Sequence, residues 1–426
     1  MTTDTTATLV QASEKPSDTD QEAKGWRTAI ASALGLTVGP SVLTVMSFGA
    51  FIAPLHREFG WSVSAIGRAA SVLSITVMII SPLQGYLVDR YGGRRVILWS
   101  SPVFGLSLMA MYFLPGRLSV FYLAWALVPL CGLGLWPVSY LRLTAGWFER
   151  RLGLALGIAN AGIGVGTVLV PLLTAWLIGA FGWRTAFLGL GAVALLAFPV
   201  AFFHLTEPTP RATQVRTGGD TLKVSAIRRP FWLILGAFLL LGLVGSSITV
   251  YQIPLLLDAG VPEHIADLLP VALGLALIVA RIATGWLLDR FPASVVMSCN
   301  LAGGLVAVLL FAAGPNVATG IIAAALAGLL IGSEFDVLSF LVPRHFGRMA
   351  YGKIYGFAFS AFQIGGAVAS SAVSASRESY GSYTPAMLTL AVVCVVCAAL
   401  FLCLGPYRYD TAPGQATHRQ ERQATR

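Results

Sequence analysis

The run Gly85-Tyr86-Leu87-Val88-Asp89-Arg90 returns two hundred residues later as Gly285-Trp286-Leu287-Leu288-Asp289-Arg290, each time closing a long apolar stretch. The register recurs elsewhere. Gly60-Trp61 matches Gly260-Val261, Trp147-Phe148 through Gly157 resembles His345-Phe346 through Gly356, and Gly182-Trp183-Arg184-Thr185 resembles Gly381-Ser382-Tyr383-Thr384. Apolar composition alone does not reproduce matched charged residues at one offset, so the chain reads as two copies of one unit. Such symmetry marks membrane carriers built from repeated bundles, with the substrate held between the halves near the bilayer midplane.

A chain of 426 residues with 56% hydrophobic and 11% charged residues lies far outside soluble globular composition. Stretches of about 20 apolar residues, the length that crosses a ~30 Å hydrocarbon core, fall near residues 28–54, 63–88, 96–114, 119–142, 153–179, 185–205, 231–257, 264–288, 294–313, 316–341, 354–375 and 384–404. The expected fold class is therefore an all-α integral membrane protein, twelve transmembrane helices in two pseudo-symmetric six-helix bundles. A polar break from Glu207 to Pro230, carrying Pro208, Pro210, Gly218 and Gly219, divides six spans from six. The expected organisation is a polar tail at 1–25, a first bundle at 26–206, a linker at 207–230, a second bundle at 231–405 and a tail at 406–426. Residues 1–25 have neither a basic start nor a small-residue cleavage site, so no cleaved signal peptide is expected.

Short loops on one side hold Arg90, Arg94, Arg95, Arg150, Arg151, Arg211, Arg216, Lys223, Arg228, Arg229, Arg290, Arg344, Arg348 and Lys353; those on the other hold Arg57, Arg117, Arg184 and Arg377. The positive-inside rule then places both termini in the cytoplasm of a multi-pass protein of the cell (inner) membrane. The same asymmetry accounts for the net charge of +9. Basic residues scattered over short turns are not a nucleic-acid surface.

Cys131, Cys299, Cys394, Cys397 and Cys403 all fall in expected spans, which argues against a disulfide framework. Cys394 and Cys397 form a C-x-x-C with no histidine near, and read as small apolar packing. His56, His204, His264, His345 and His418 lie outside spans or at their edges, leaving no metal or nucleophile constellation and no enzyme. No cofactor is implied. Phosphate-binding loops are absent, so an ion gradient, not ATP, is the expected energy source.

The residues from Gly85 to Arg95, Gly-Tyr-Leu-Val-Asp-Arg-Tyr-Gly-Gly-Arg-Arg, resemble the signature loop between the second and third helices of the major facilitator superfamily. Within it the chain most resembles the monocarboxylate-carrier and oxalate/formate branch. That rests on Phe59-Gly60-Trp61-Ser62, on Trp147 through Gly157, and on Val279-Ala280-Arg281. The resemblance implies the major facilitator fold and a helix-8 arginine, here Arg281, as anion anchor.

By charge alone, Asp89 at the end of the second span can pair with arginines and with a neighbouring helix N-terminus in one conformation. Gly85, Asp89, Arg90 and Arg94 thus form an expected conformational latch, Gly85 letting a facing helix approach. Gly285, Asp289 and Arg290 form its counterpart, expected to be weaker because Phe291-Pro292-Ala293 replaces the basic run.

Ionisable residues deep in a span are costly and by default functional, which singles out Arg281, Glu334 and Asp336. Arg281 lies eight residues before Asp289, ~12 Å in from the helix end, and Glu334 ten before Arg344, ~15 Å in. A guanidinium there matches a carboxylate in two-point contact. Two readings stand together: a permanent Arg281–Glu334 ion pair, or a pair that an anion displaces, the freed carboxylate taking a proton. Animal monocarboxylate carriers place an acid one turn before the arginine and a lysine in the first helix. Here the first position is Leu277, and no basic residue lies between Arg27 and His56. Coupling, if moved, falls to Glu334 or Asp336.

Arg142 is either a second anion contact, which would suit a substrate with two carboxylates, or the partner of Asp89. The superfamily's geometry implies that helices 1, 4, 7 and 10 line the path, which adds Ser47, Tyr140, Tyr251 and Gln252 as substrate contacts. Asn160 and Gln363 are lone amides near mid-span. For each of these a bond to a neighbouring helix is an equally open reading. The expectation is a proton-coupled symporter of small organic anions, mono- or dicarboxylates, working as a monomer in the bilayer. Carboxylate exchange is the alternative, and efflux of hydrophobic drug-like compounds is disfavoured by Arg281.

Overall fold

The computed structural model describes residues 18–208, 219–262 and 269–409. Most of the expected N-terminal tail, residues 209–218 of the expected linker with Arg211 and Arg216, His264, and the C-terminal tail beyond residue 409 with His418 lie outside the described residues.

Twelve helices cross in sequence. α1 is broken into Asp18–Thr37, Pro40–Leu43 and Phe48–Phe59; α2 is Val63–Tyr91; α3 is Gly93–Ala110 with a tight turn Met111–Phe113; α4 is Leu118–Cys131 resumed at Pro137–Trp147. The helix Leu152–Leu195 breaks at Gly182 (φ 82°), giving α5 (152–181) and α6 (183–195, then Ala197–His204). The second half runs α7 Arg229–Asp258, α8 Leu269–Leu288, α9 Ala293–Ala312, α10 Val317–Phe346, α11 Tyr351–Tyr380 and α12 Thr384–Leu402.

Local chemistry explains the breaks. Ser62 caps α2, its hydroxyl accepting from the Ala65 N–H at 3.2 Å, and Asn316 with Thr319 forms a capping box at α10. Trp136 is held extended (ψ 159°) before Pro137, as the proline ring requires, and this interrupts α4. The glycines matched between the halves include turn residues: Gly60 and Gly260 have φ of 68° and 82°, Gly182 and Gly381 of 82° and 65°. Only glycine adopts these freely, so part of the internal repeat is a repeat of turns.

The outward faces are apolar, with Trp99, Leu172 and Val392 each more than half exposed. Among the described residues nine helical segments are long and apolar enough to cross a membrane, and one of them, Leu152–His204, crosses twice. The shorter apolar helices Leu118–Cys131 and Ala272–Leu288 supply the rest. A chain apolar both inside and outside belongs in lipid.

Two seams join the halves. α2 packs on α11, where a Cβ at Gly85 would collide with the Gly352 carbonyl and one at Gly356 with the Ser81 carbonyl. α8 packs on α5, where Gly285 meets Gly153 and Gly157 meets the Arg281 carbonyl in the same way. Small residues bring backbones close where no hydrophobic force drives helices together.

Candidate functional site

Asp89 and Asp289 close equivalent ends of the two seams. The Asp89 carboxylate accepts from the backbone N–H groups of Gly352 (2.9 Å) and Lys353 (3.0 Å) at the start of α11. Asp289 accepts from Gly153 (2.6 Å) and Leu154 (2.9 Å) at the start of α5. Each anion sits on the positive, unsatisfied end of a helix from the other half. Arg142 of α4 lies 3.2 Å from Asp89, which answers its geometry: in this conformation it is the partner of Asp89. Asp289 has no side-chain ion pair within 4 Å among the described residues.

Arg90 and Arg290 do not reach these carboxylates. Each folds back onto the aromatic ring one turn earlier, Arg90 over Tyr86 and Arg290 over Trp286 at 3.5 Å. Arg94 points to α6, its backbone N–H donating to Glu207 at 3.0 Å and its guanidinium to the Phe202 carbonyl at 2.8 Å. Arg348 adds a bond across the halves, donating to the Phe148 carbonyl at 3.0 Å.

Deeper in the α8–α5 seam the structure gathers Arg281, Asp336, Glu334 and Asn160, none more than 3% exposed. Arg281 Nη1 lies 4.0 Å from Asp336 Oδ1, and Asn160 Nδ2 donates to the same carboxylate oxygen. Glu334 and Tyr355 lie within Coulombic reach of the guanidinium. The ion pair expected between Arg281 and Glu334 is thus made instead by Asp336. Positions two apart on a helix, as Glu334 and Asp336 are, lie ~200° apart around it, so the acids face different neighbours. Asp336 continues the row Gly328-Gly332, where a Cβ would meet Ala276 and Ala280 of α8, and so faces α8. Glu334 faces α7, where a Cβ at Gly245 would meet its carboxylate, and neither of its oxygens has a hydrogen-bond partner among the described residues. The i, i+4 spacing of residues 328, 332 and 336 was legible in the sequence, but that this row faces α8 was not.

The other expected contacts do not converge here. Tyr251 bonds Ser374 at 2.7 Å, Gln252 makes a 3.5 Å bond to the Thr249 carbonyl, and Ser47 donates to Leu43 at 2.6 Å. Tyr140 is fully buried against Gly35 of α1, and Gln363 is half-buried on α11. Two further residues join the site: Tyr351 and Tyr355, buried one turn apart on α11 with ring centroids at 6.1 Å. Tyr351 lies beside the Arg142–Asp89 pair and Tyr355 beside the Arg281–Asp336 pair. Their four-residue spacing, continued by Phe359, was the available signal.

Two helix bundles closing on buried opposite charges, with apolar outer faces, define a membrane carrier that moves a solute between its halves. The profile of the Major Facilitator Superfamily matches residues 34–370 and again residues 244–426. The chain belongs to that superfamily and is a multi-pass membrane transporter, not an enzyme. Monocarboxylate transporter 13 of Bos taurus is 26% identical over 378 residues, covering 86% of this chain and 86% of the relative. Monocarboxylate transporter 11 of Mus musculus is 26% identical over 411 residues, covering 91% and 88%. The E. coli fucose:proton symporter FucP shares the fold, with a TM-score of 0.68 at 15% identity over 89% of this chain and 98% of that one.

Proposed function

We propose that the chain carries small organic anions, mono- or dicarboxylates, by proton-coupled symport, with Arg281 as carboxylate anchor. The observation that carries this reading is the pairing of Arg281 with Asp336 deep between the halves, with Glu334 close behind. A lone guanidinium in a span would be prohibitively costly; one acid neutralises it, and a substrate carboxylate can take that acid's place. The displaced carboxylate is then unpaired in a low-dielectric site, and a proton relieves its cost. One anion and one proton cross together, leaving the site's charge unchanged. Arg142, engaged by Asp89, leaves one arginine for substrate and favours a single carboxylate. The names of the relatives, monocarboxylate transporters, agree in substrate class.

Arginine-rich loops at the Asp89 and Asp289 end favour a cytoplasmic placement for that end and for both termini. The latch residues Gly85, Asp89, Gly285 and Asp289 then close the inner side in this conformation, while Arg94 ties α3 to the end of α6 within its own half and Arg90 and Arg290 brace the helix ends. The expected organisation, a first bundle at 26–206 and a second at 231–405, is the division we propose for the moving halves.

The test is uptake of radiolabelled mono- and dicarboxylates into proteoliposomes under an inward proton gradient, wild type beside Arg281→Ala. Gradient-stimulated uptake of a carboxylate, reduced about tenfold or more by the substitution because a charge-assisted hydrogen bond contributes roughly 1.5–3 kcal/mol, supports the reading. Uptake indifferent to both gradient and Arg281 moves exchange to the front.

A further inference from the structure

The pseudo-symmetry offers an internal control on the Arg281 site. Gly157 packs on the Arg281 carbonyl as Gly356 packs on that of Ser81, so Ser81 is the counterpart of Arg281. Seven residues beyond Gly153, ~10 Å along α5, Asn160 reaches Asp336 across the halves. Eight beyond Gly352 on α11, Ser360 reaches the Met78 carbonyl of α2 at 2.7 Å. Both seams therefore carry a latch at one end and a second cross-half hydrogen bond deeper in. In the α2–α11 seam the deep bond joins a hydroxyl to a backbone carbonyl. From α5 the deep bond runs instead to α10, ending on a carboxylate that also faces Arg281.

A contact whose only purpose was to join the halves would be served by neutral groups, as the matching contact of Phe359 on α11 with Trp136 at the break of α4 is. We propose that the Asn160–Asp336 bond is an interlock, reporting the state of the Arg281 site to the first half of the chain and holding this end of the carrier closed until that state changes. Its elements are a donor on α5, a carboxylate on α10 and a guanidinium on α8. The charged or titratable groups that face Asp336 are Arg281 and Tyr355, while Glu334 faces α7. Asn160 is the one amide among the buried residues of this seam, and its donor is committed to Asp336. The ion pair to Arg281 lies within the second half, so Asn160 carries the site's influence across to the first. Asn160 is thus a positioning residue, acting through Asp336. An anion that occupies Arg281 takes the counter-charge from Asp336 and releases the interlock. That last step rests on the carboxylate reading above; the interlock itself is measured without any substrate.

The experiment places spin labels at Arg95→Cys and Val295→Cys, on α3 and α9 at the latch end, with the native cysteines replaced by alanine, and measures their distance distribution in lipid nanodiscs. Asn160→Ala and Asp336→Leu are each expected to shift the ratio of open to closed forms about tenfold or more toward open. The double variant goes no further than Asp336→Leu alone, because that substitution already removes the Asn160 bond. Asn160→Ser, which keeps a donor, recovers part of the closed form and guards against an Asp336 variant that fails to fold. Single variants that keep the wild-type distribution, or that add in the double, overturn the interlock. If the distances respond while no carboxylate in the panel is taken up, the interlock stands and the substrate reading falls; uptake without any distance response gives the reverse.

Discussion

Arg281 and Asp336 face one another at 4.0 Å, side chains 3% and 0% exposed, in the middle of a membrane bundle. Removing one partner of a buried pair strands the other charge, at a cost of roughly 3–5 kcal/mol, while replacing both with apolar groups is often neutral. Arg281→Met or Asp336→Leu alone is therefore expected to lower the melting temperature of the purified protein more than the two together. Thermal unfolding in detergent of the four members of the cycle measures this, and strictly additive losses would contradict the pairing.

Asp89 and Asp289 accept the same two backbone bonds, but Asp89 also answers Arg142. Asp89→Asn leaves Arg142 unpaired, whereas Asp289→Asn weakens a helix-end contact worth about 1 kcal/mol. The latch-end spin-label distance is expected to shift further toward the open form for Asp89→Asn than for Asp289→Asn. Equal shifts would remove Arg142 from the latch.

Gly85 and Gly285 lie where any side chain would collide with backbone carbonyls of the facing helix, Gly352 and Gly153 respectively. Gly85→Val and Gly285→Val are each expected to cut proteoliposome uptake more than tenfold while leaving expression and gel-filtration behaviour near wild type, because each collision is confined to the close approach at one seam. Misfolding of both variants would show instead that the seams are needed for assembly.

Among the cysteines, Cys299 and Cys403 are exposed, while Cys394 and Cys397 are buried in α12 and Cys397 Sγ lies 3.4 Å from the Ala237 carbonyl. A small maleimide is expected to modify the first pair in detergent and to spare the second until the protein unfolds. Cys397→Ala should cost about 1 kcal/mol, a lost small side chain and a weak bond. Rapid labelling of Cys397 in the folded protein would contradict its packing.

The primary structure by itself determined the two-fold repeat, the twelve apolar crossings, and the depth of Arg281, Glu334 and Asp336 along their helices. The repeat follows from matched charged residues at one offset, and the crossings and depths from spacing along one helix, where 1.5 Å per residue converts sequence into height and apolar length into a crossing. Height is not direction. Which acid meets Arg281 depends on the rotation of α10 about its axis, and packing of Gly328 and Gly332 on α8 sets that rotation. The fate of Asn160 and Arg142 depended on partners 176 and 53 residues away, one in the other half and one on another helix of the same half. The tertiary structure alone decided that Asn160 would cross to Asp336, that Arg142 would be engaged by Asp89, and that Arg90 and Arg290 would fold onto their own helices. Hydrogen bonds in a membrane interior reach about 3 Å, and only the packed seams bring those groups that close.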